Sequence, residues 1–414
     1  MQVMGAKGRE PKNLDFEDAM GHNGASFFKQ GVKMTDEKLL LIPGPSPVVP
    51  RILEALARPT ISHVSPQLAA EIAESCANLK KTVFCAKGEA FILAGAGTLS
   101  MELALLNTAA PGERVLVLSQ GFFGNRMGEI CRSFGFDCDV IEAEWGRAVL
   151  PEELEKAVNS KDYHVVISTH VDTATGACAP IRQYSRVLEK RGLIYIVDGV
   201  CATGGIEERM DDWGIDVVLT AAQKCFGAPP GLAIVVASER ALEKRRKMKS
   251  IPAYYADWLR WLPIMKDPTR YFSTPCVNEM RAFHEATRII MEEGVERRFD
   301  RHKRIGRAFR AALSALGFTF FTLEPFRADT LSVACYPEGL EDQPFRSLYL
   351  ENGVVVAGGL AQTAGRVFRL GHMGNLTSEQ TYFAFEAMEK TLAKLGRRFE
   401  KGASLRAARA ILGE

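Results

Sequence analysis

The sequence predicts an α/β protein, with a large domain built on a mainly parallel sheet covered by helices and a smaller C-terminal α+β domain. Three observations predict it. The chain has 414 residues, more than the size at which one hydrophobic core usually stops growing. From about residue 40 to 295, short Val/Ile/Leu-rich runs alternate with helical stretches. After residue 295 a long amphipathic helix opens a segment of shorter strands. The expected organisation is an N-terminal arm over 1–39, a large domain over 40–295 and a small domain over 296–414.

The elements follow in order. The first 38 residues are polar and contain glycine, which reads as a loosely ordered arm. Strands are expected at "RVLVLS" (114–119), "HVVIST" (164–169), "LIYIVDG" (193–199), "DVVLTA" (216–221) and "GLAIVVAS" (231–238). Helices are expected at "TLSMELALLNTA" (98–109) and "IRQYSRVLEKRG" (181–192). Nearly continuous apolar strands linked by helices imply a sheet buried on both faces. "ERRFDRHKRIGRAFRAALSALG" (296–317) reads as a long helix with a basic face. Strands "TLSVACYP" (330–337), "VVVAGG" (354–359) and "RVFRLGH" (366–372) follow, then a helix near 378–395.

Composition excludes several classes. Hydrophobic residues make up 47% and charged residues 25%, ordinary values for a globular enzyme. A net charge of +2 gives no reason to expect a nucleic acid or an acidic membrane as partner, and the basic run "EKRRKMKS" (243–250) reads as a solvated helix face. Nine cysteines are scattered singly with no C-x-x-C pair, which points to reduced thiols in the cytoplasm. Seven dispersed histidines without H-x-x-x-H spacing indicate no metal site. No signal peptide and no run of about 18 apolar residues is visible.

In open parallel sheets, ligands bind beyond the carboxyl ends of the strands, and four chemically distinctive residues or turns stand at such places or in the small domain. Gly95, Gly97 and Thr98 precede a helix; such a turn either cradles a phosphate at the helix N-terminus or is simply a turn. Asp198 closes an apolar strand, where a carboxylate faces a cation or caps a helix. Lys224 follows the next strand among small residues in "LTAAQKCFGAPPG" (219–231); a desolvated lysine there is a nucleophile for Schiff bases. Arg369 interrupts an apolar strand of the small domain and offers a planar fork to a carboxylate or to a structural ion pair. Together the set meets the requirements of a pyridoxal phosphate enzyme acting on amino acids.

From "LLIPGPSPVVPRIL" (40–53) to about residue 395, the motifs "GAGTLSMELA", "GFFGNR", "THVDTATG", "VDGVCATGG", "QKCFGAPPG", "YFSTP" and "RVFRLGHMG" occur in one order. In this the chain resembles the class V aminotransferase family of fold-type I pyridoxal phosphate enzymes, in its alanine/serine–glyoxylate branch. The resemblance implies a Schiff base on Lys224 and a pairing of Asp198 with the pyridine nitrogen. It places Val200 and Phe123 on the two ring faces and Thr173 near the phenolic side. It assigns Gly95, Gly97, Thr98 and Gln223 to the phosphate. Tyr271 and Thr274 match a pair that reaches the phosphate of the neighbouring subunit, which implies a homodimer with shared sites. Arg369 then clamps the substrate carboxylate, with Gly44 and Pro45 lining the small pocket. The implied reaction moves the amino group of alanine or serine to glyoxylate or pyruvate, with Lys224 as general base and acid. Trp258 and Trp261, within "SIPAYYADWLRWLPIMKDPTRYF" (250–272), are expected over the site.

Departures from the family pattern are Ala222, where many relatives carry a serine, and Gly199 and Cys201, where serine or alanine is more usual. The alternatives are a pyridoxamine–pyruvate aminotransferase, which lacks a working phosphate cup, a cysteine desulfurase-like lyase and a non-enzymatic pyridoxal phosphate-binding protein. Gln223 before Lys224, and the retention of both Lys224 and Arg369, speak against the last two.

Overall fold

The structure, a computed structural model, describes residues 38–189 and 191–413. The arm expected over 1–39 therefore lies outside the described residues except for its last two. A short strand, β1 (Leu39–Leu40), comes first. Seven strands then form the main sheet: β2 (Glu89–Ala94), β3 (Arg114–Ser119), β4 (Asp137–Glu142), β5 (Val165–Thr169), β6 (Ile194–Asp198), β7 (Val217–Ala221) and β8 (Leu232–Ala237). Their spatial order is β2-β8-β7-β6-β5-β3-β4.

The strands from β7 to β4 are parallel to one another. β8 is antiparallel to both β7 and β2. The expected strand at 231–238 thus exists but runs backwards. The turn between β7 and β8 carries no helix, and a parallel return needs a crossover of a dozen or more residues. Helices Gly97–Leu106, Phe122–Ser133, Pro151–Ser160 and Ile181–Leu188 connect the strands from β2 to β6. Every residue of β5, β6 and β7 is buried, and each fully buried Val, Leu or Ile contributes about 1.5–3 kcal/mol.

A second sheet, of order β12-β13-β10-β9, comprises β9 (Thr319–Phe320), β10 (Leu331–Cys335), β12 (Ala357–Gly358) and β13 (Val367–Gly371), all antiparallel. β11 (Val354–Val355) leaves it to pair in parallel with β1. The single strand expected at "VVVAGG" is therefore two strands serving two sheets. The basic helix is observed at Val295–Ala315, but its charged face is not wholly solvated, since Arg298 and His302 are fully buried. Likewise Arg245, within the run expected as a solvated face, turns inward to Asp257 at 2.8 Å.

Candidate active site

The chain approaches Lys224 from β7, whose last residue is Ala221. The turn that follows closes on itself: Gly227 N–H donates to the Lys224 carbonyl at 3.0 Å, and Ala228 N–H to that of Ala222 at 3.1 Å. Gly227 adopts φ +68, and a Cβ there would meet the Asn375 amide at 2.6 Å. From the far side the "PGPS" segment closes in. Ser46 donates its N–H to the Gln223 carbonyl at 2.9 Å and its hydroxyl to that of Lys224 at 2.7 Å. The Lys224 amine donates to the Pro43 carbonyl. Gly44, at φ +96, lies so near the lysine side chain that any Cβ would collide with it. The structure thus brings Gly44, Pro45, Gln223 and Lys224 together, and it adds Ser46, which the motif reading passes over.

Asp198 ends β6, in register with Thr169 of β5 and Leu219 of β7. Its side chain is buried, and among the described residues the one hydrogen bond it receives is from Val200 N–H at 3.1 Å. Burial pushes this carboxyl up to about 7; Asp172 and Glu208 add to the rise, while the Lys224 charge opposes it. A carboxylate so poor in donors is built to meet a cation. Behind it, His170 Nδ1 lies 2.7 Å from Glu208 Oε1, and the Thr203 hydroxyl donates to Glu208 Oε2 at 2.7 Å. Burial works against a charged His170 ring, yet the neighbouring Cys178 and Glu208 push it up to about 10. His170 stands in "THVDTATG", just past β5, but no role is read for it, and no motif marks Glu208.

The helix Gly97–Leu106 starts beside this carboxyl. No side chain caps it, so its first N–H groups are open to an anion. A Cβ on Gly97 would sit in ordinary contact with Ala221 and Val200 at 3.4 Å, where the helix start meets the ends of the strands. Gln223 Oε1 is buried with no protein partner among the described residues. Gly95 hydrogen-bonds through its N–H to Gly231 at 2.8 Å, which fixes the turn ahead of the helix. Thr98 is exposed at the helix start.

Phe123 is half-buried, with the Arg126 guanidinium 4.8 Å from its ring centre. Its backbone N–H donates to Asp172 Oδ2 at 2.8 Å, and Asp172 Oδ1 receives Ala174 N–H at 2.8 Å. Asp172, which stands in "THVDTATG" without a role read for it, therefore ties the start of the helix Phe122–Ser133 to the turn that carries Thr173. The Thr173 hydroxyl lies 2.8 Å from Cys201 Sγ, and its carbonyl accepts Arg369 Nη1 at 3.2 Å. Arg369 also donates through Nε to Gly358 at 2.8 Å. Burial lowers this guanidinium from its usual range, and Nη2 has no protein partner among the described residues.

Two expectations fare differently. Tyr271 and Thr274 are exposed, 3.4 Å apart through their hydroxyls, and share no hydrogen bond with the other site residues. Trp258 and Trp261 do not cover the site. Both are fully buried in the main core, and Trp258 stacks on Phe91 of β2 with centroids 5.3 Å apart. Their size and apolar character drive them inward. A cavity of about 1100 Å³ lined by Arg182, Trp213 and Arg240 lies at the amino ends of β6 and β7, the opposite end of the sheet from these residues.

Solved structures with this architecture include aminotransferases. A ureidoglycine–glyoxylate aminotransferase from Bacillus subtilis superposes with a TM-score of 0.88 at 25% identity, over 92% of this chain and 99% of that one. A pyridoxamine–pyruvate aminotransferase from Mesorhizobium loti gives a TM-score of 0.85 at 26% identity, over 92% and 98%. The chain belongs to the class V aminotransferase family, whose model matches residues 51–373. Its relatives include an uncharacterized aminotransferase of Methanocaldococcus jannaschii, 35% identical over 87% of this chain and 94% of that protein. An L-aspartate–glyoxylate aminotransferase of Paracoccus denitrificans is 33% identical over 91% and 96%. A serine–glyoxylate aminotransferase of Arabidopsis thaliana is 30% identical over 90% and 94%.

Proposed function

We propose that this aminotransferase uses pyridoxal 5'-phosphate to move the amino group of alanine or serine to glyoxylate or pyruvate. The observation that carries the proposal is the buried, donor-poor Asp198 carboxyl placed within electrostatic reach of Lys224. The residues present fit the cofactor. The Asp198 carboxyl suits a protonated ring nitrogen, the buried Gln223 amide, whose Oε1 has no partner among the described residues, can turn an N–H to a phosphate oxygen, and the uncapped helix at Gly97 suits a phosphate. When bound, pyridoxal phosphate supplies an electron-accepting ring that weakens the α-C–H bond of an amino acid.

The chain's own residues would do the rest. Lys224 Nζ would hold the cofactor through its amine and would take and return the α-proton of the substrate. Asp198 holds the proton on the ring nitrogen. Gly95, Gly97, Thr98 and Gln223 hold the phosphate, Val200 and Phe123 flank the ring, and Thr173 lies at its phenolic side. Arg369 binds the substrate carboxylate with its free Nη2, and the backbone at Gly44 and Pro45 limits the room beside it. Tyr271 and Thr274, exposed in a single chain, reach the phosphate of a second copy, so the working unit is a homodimer. The large domain over 40–295 carries the cofactor and the small domain over 296–414 carries the clamp. Among the described residues no helix is long and apolar enough to cross a membrane, and nine cysteines without a disulfide among them suit the cytoplasm.

A half-reaction screen tests this reading. The protein loaded with cofactor is mixed with single amino acids while its visible absorbance is followed. Bleaching with alanine or serine is expected; bleaching only with pyridoxamine, or with nothing, overturns the assignment. Lys224→Ala is expected to abolish turnover and the visible band of the loaded protein, and an intact band in that variant contradicts the role given to the lysine.

A further inference from the structure

Arg298 is the fourth residue of the helix Val295–Ala315 and has no exposed side-chain surface. Its guanidinium reaches four separate segments. Nη2 donates to the Cys225 carbonyl at 2.6 Å, to the Gly374 carbonyl at 3.2 Å and to Asn375 Oδ1 at 3.1 Å. Nε donates to the Gly204 carbonyl at 3.1 Å, and Nη1 pairs with Glu293 Oε2 at 2.7 Å. Cys225 follows Lys224 directly, and Gly374 lies in the turn after the strand that bears Arg369. The two turns also touch each other: a Cβ on Gly374 would meet Ser46 Oγ at 3.1 Å and the Lys224 carbonyl at 3.4 Å.

A second tie reinforces the first. Buried His302, one helical turn on, donates through Nδ1 to the Arg298 carbonyl at 2.8 Å and accepts Gly374 N–H on Nε2 at 3.1 Å. That pattern requires a neutral ring, and burial beside Arg301 and Arg298 holds His302 well below its ordinary value. The guanidinium has five donors in one rigid plane, so it fixes several acceptors at set distances, which a flexible ammonium does not.

We propose that Arg298 is a positioning residue that holds the Lys224 turn and the Arg369 strand in one fixed register. The register sets the span between the amine that handles the α-proton and the fork that binds the carboxylate. This rests on the roles proposed above for Lys224 and Arg369. A site with a fixed span favours substrates whose amino and carboxylate groups are separated by one carbon over those separated by two.

The test uses Arg298→Met and Arg298→Lys in the cofactor-loaded full chain. Glu293 stays neutralised in both, because Arg301 Nε lies 2.6 Å from its Oε1. The half-reaction rate with L-alanine is expected to fall about 10–100-fold in the methionine variant. The preference for L-alanine over β-alanine should narrow about tenfold, with the lysine variant in between. Hydrogen exchange of the cofactor-free protein gives an independent readout, in which the segments 223–227 and 371–376 should lose protection together. If Arg298→Met does not fold, Arg298→Lys decides. A lowered melting temperature with unchanged rates and an unchanged α/β preference overturns the proposal, as does faster exchange in one segment alone. If the wild type reacts with neither alanine nor serine, the transamination reading fails, and the exchange experiment still judges the coupling.

Discussion

Asp198 sits among groups that oppose its charge: first the apolar strand walls, then Asp172 and Glu208, with Lys224 pulling the other way. Its carboxyl is lifted from the ordinary 3.8 to about 7, so the folded chain binds this proton more tightly than the unfolded chain. The sign follows. Below the unfolded value the burial is harmless, and the penalty grows as pH rises from about 4 to about 7, reaching a few kcal/mol. In the cofactor-free protein, Asp198→Asn is therefore expected to gain melting temperature over the wild type as pH rises from 5 to 8. A difference that stays flat over that range would contradict it. The same variant should lose most of its transamination, since the amide carries no charge to hold a proton on a ring nitrogen. Such an exchange of stability for activity is common where a site is built for something other than packing. Lys224, Asp198 and Arg369 were legible because each is a charged side chain at a place the strand pattern marks as apolar. Ser46 and Arg298 were not, because they act through backbone carbonyls distant in sequence; Ser46 and Lys224 are 178 residues apart.

At the level of elements, the turn between Pro43 and Ser46 is as constrained as the lysine it covers. Gly44 combines φ +96 with contact against the Lys224 side chain. Gly44→Ala should cost about 1–3 kcal/mol in backbone strain and also displace the amine, lowering kcat at least tenfold. Gly135 has φ +77 with nothing near a Cβ, so Gly135→Ala should lower the melting temperature and leave kcat unchanged. If both variants keep full kcat, the contact at Gly44 has no catalytic meaning. The buried strands β5, β6 and β7 could be read from composition alone, whereas β4 could not: "DCDVIE" is an edge strand with no buried residue, so nothing imposes an apolar run. β2 was also unread; a short apolar run leaves strand and helix hard to separate by periodicity. The helix Ala403–Leu412, in the tail beyond the motifs, packs against the helix Val295–Ala315.

For the whole molecule, the proposal that each site borrows Tyr271 and Thr274 from a second copy makes a prediction about mixtures. Lys224→Ala chains should be inactive, and chains with Tyr271→Ala and Thr274→Ala together should lose cofactor affinity. Hybrids of the two contain one site with its own lysine and an intact pair from its neighbour. Co-refolding the two inactive proteins is therefore expected to restore part of the wild-type activity, and no recovery from a demonstrated hybrid would show that the sites are not shared. The main sheet with helices between its strands was readable from the alternation of strands and helices. The reversal of β8 was not, because direction depends on the length of a connection rather than on the strand itself.

The pairing of β1 with β11 places a time limit on the site. Leu39 and Leu41 donate N–H groups to Gly353 and Val355 at 2.8 and 2.9 Å, and Gly371 returns one to Leu41 at 2.8 Å. The segment that walls in Lys224 is therefore anchored by residues made more than 300 positions later. On the ribosome, a chain that has already emerged past Lys224 and Asp198 still lacks that wall. The cover over Lys224 is anchored only once residues 353–371 have been made, and until then the lysine side chain stands without it.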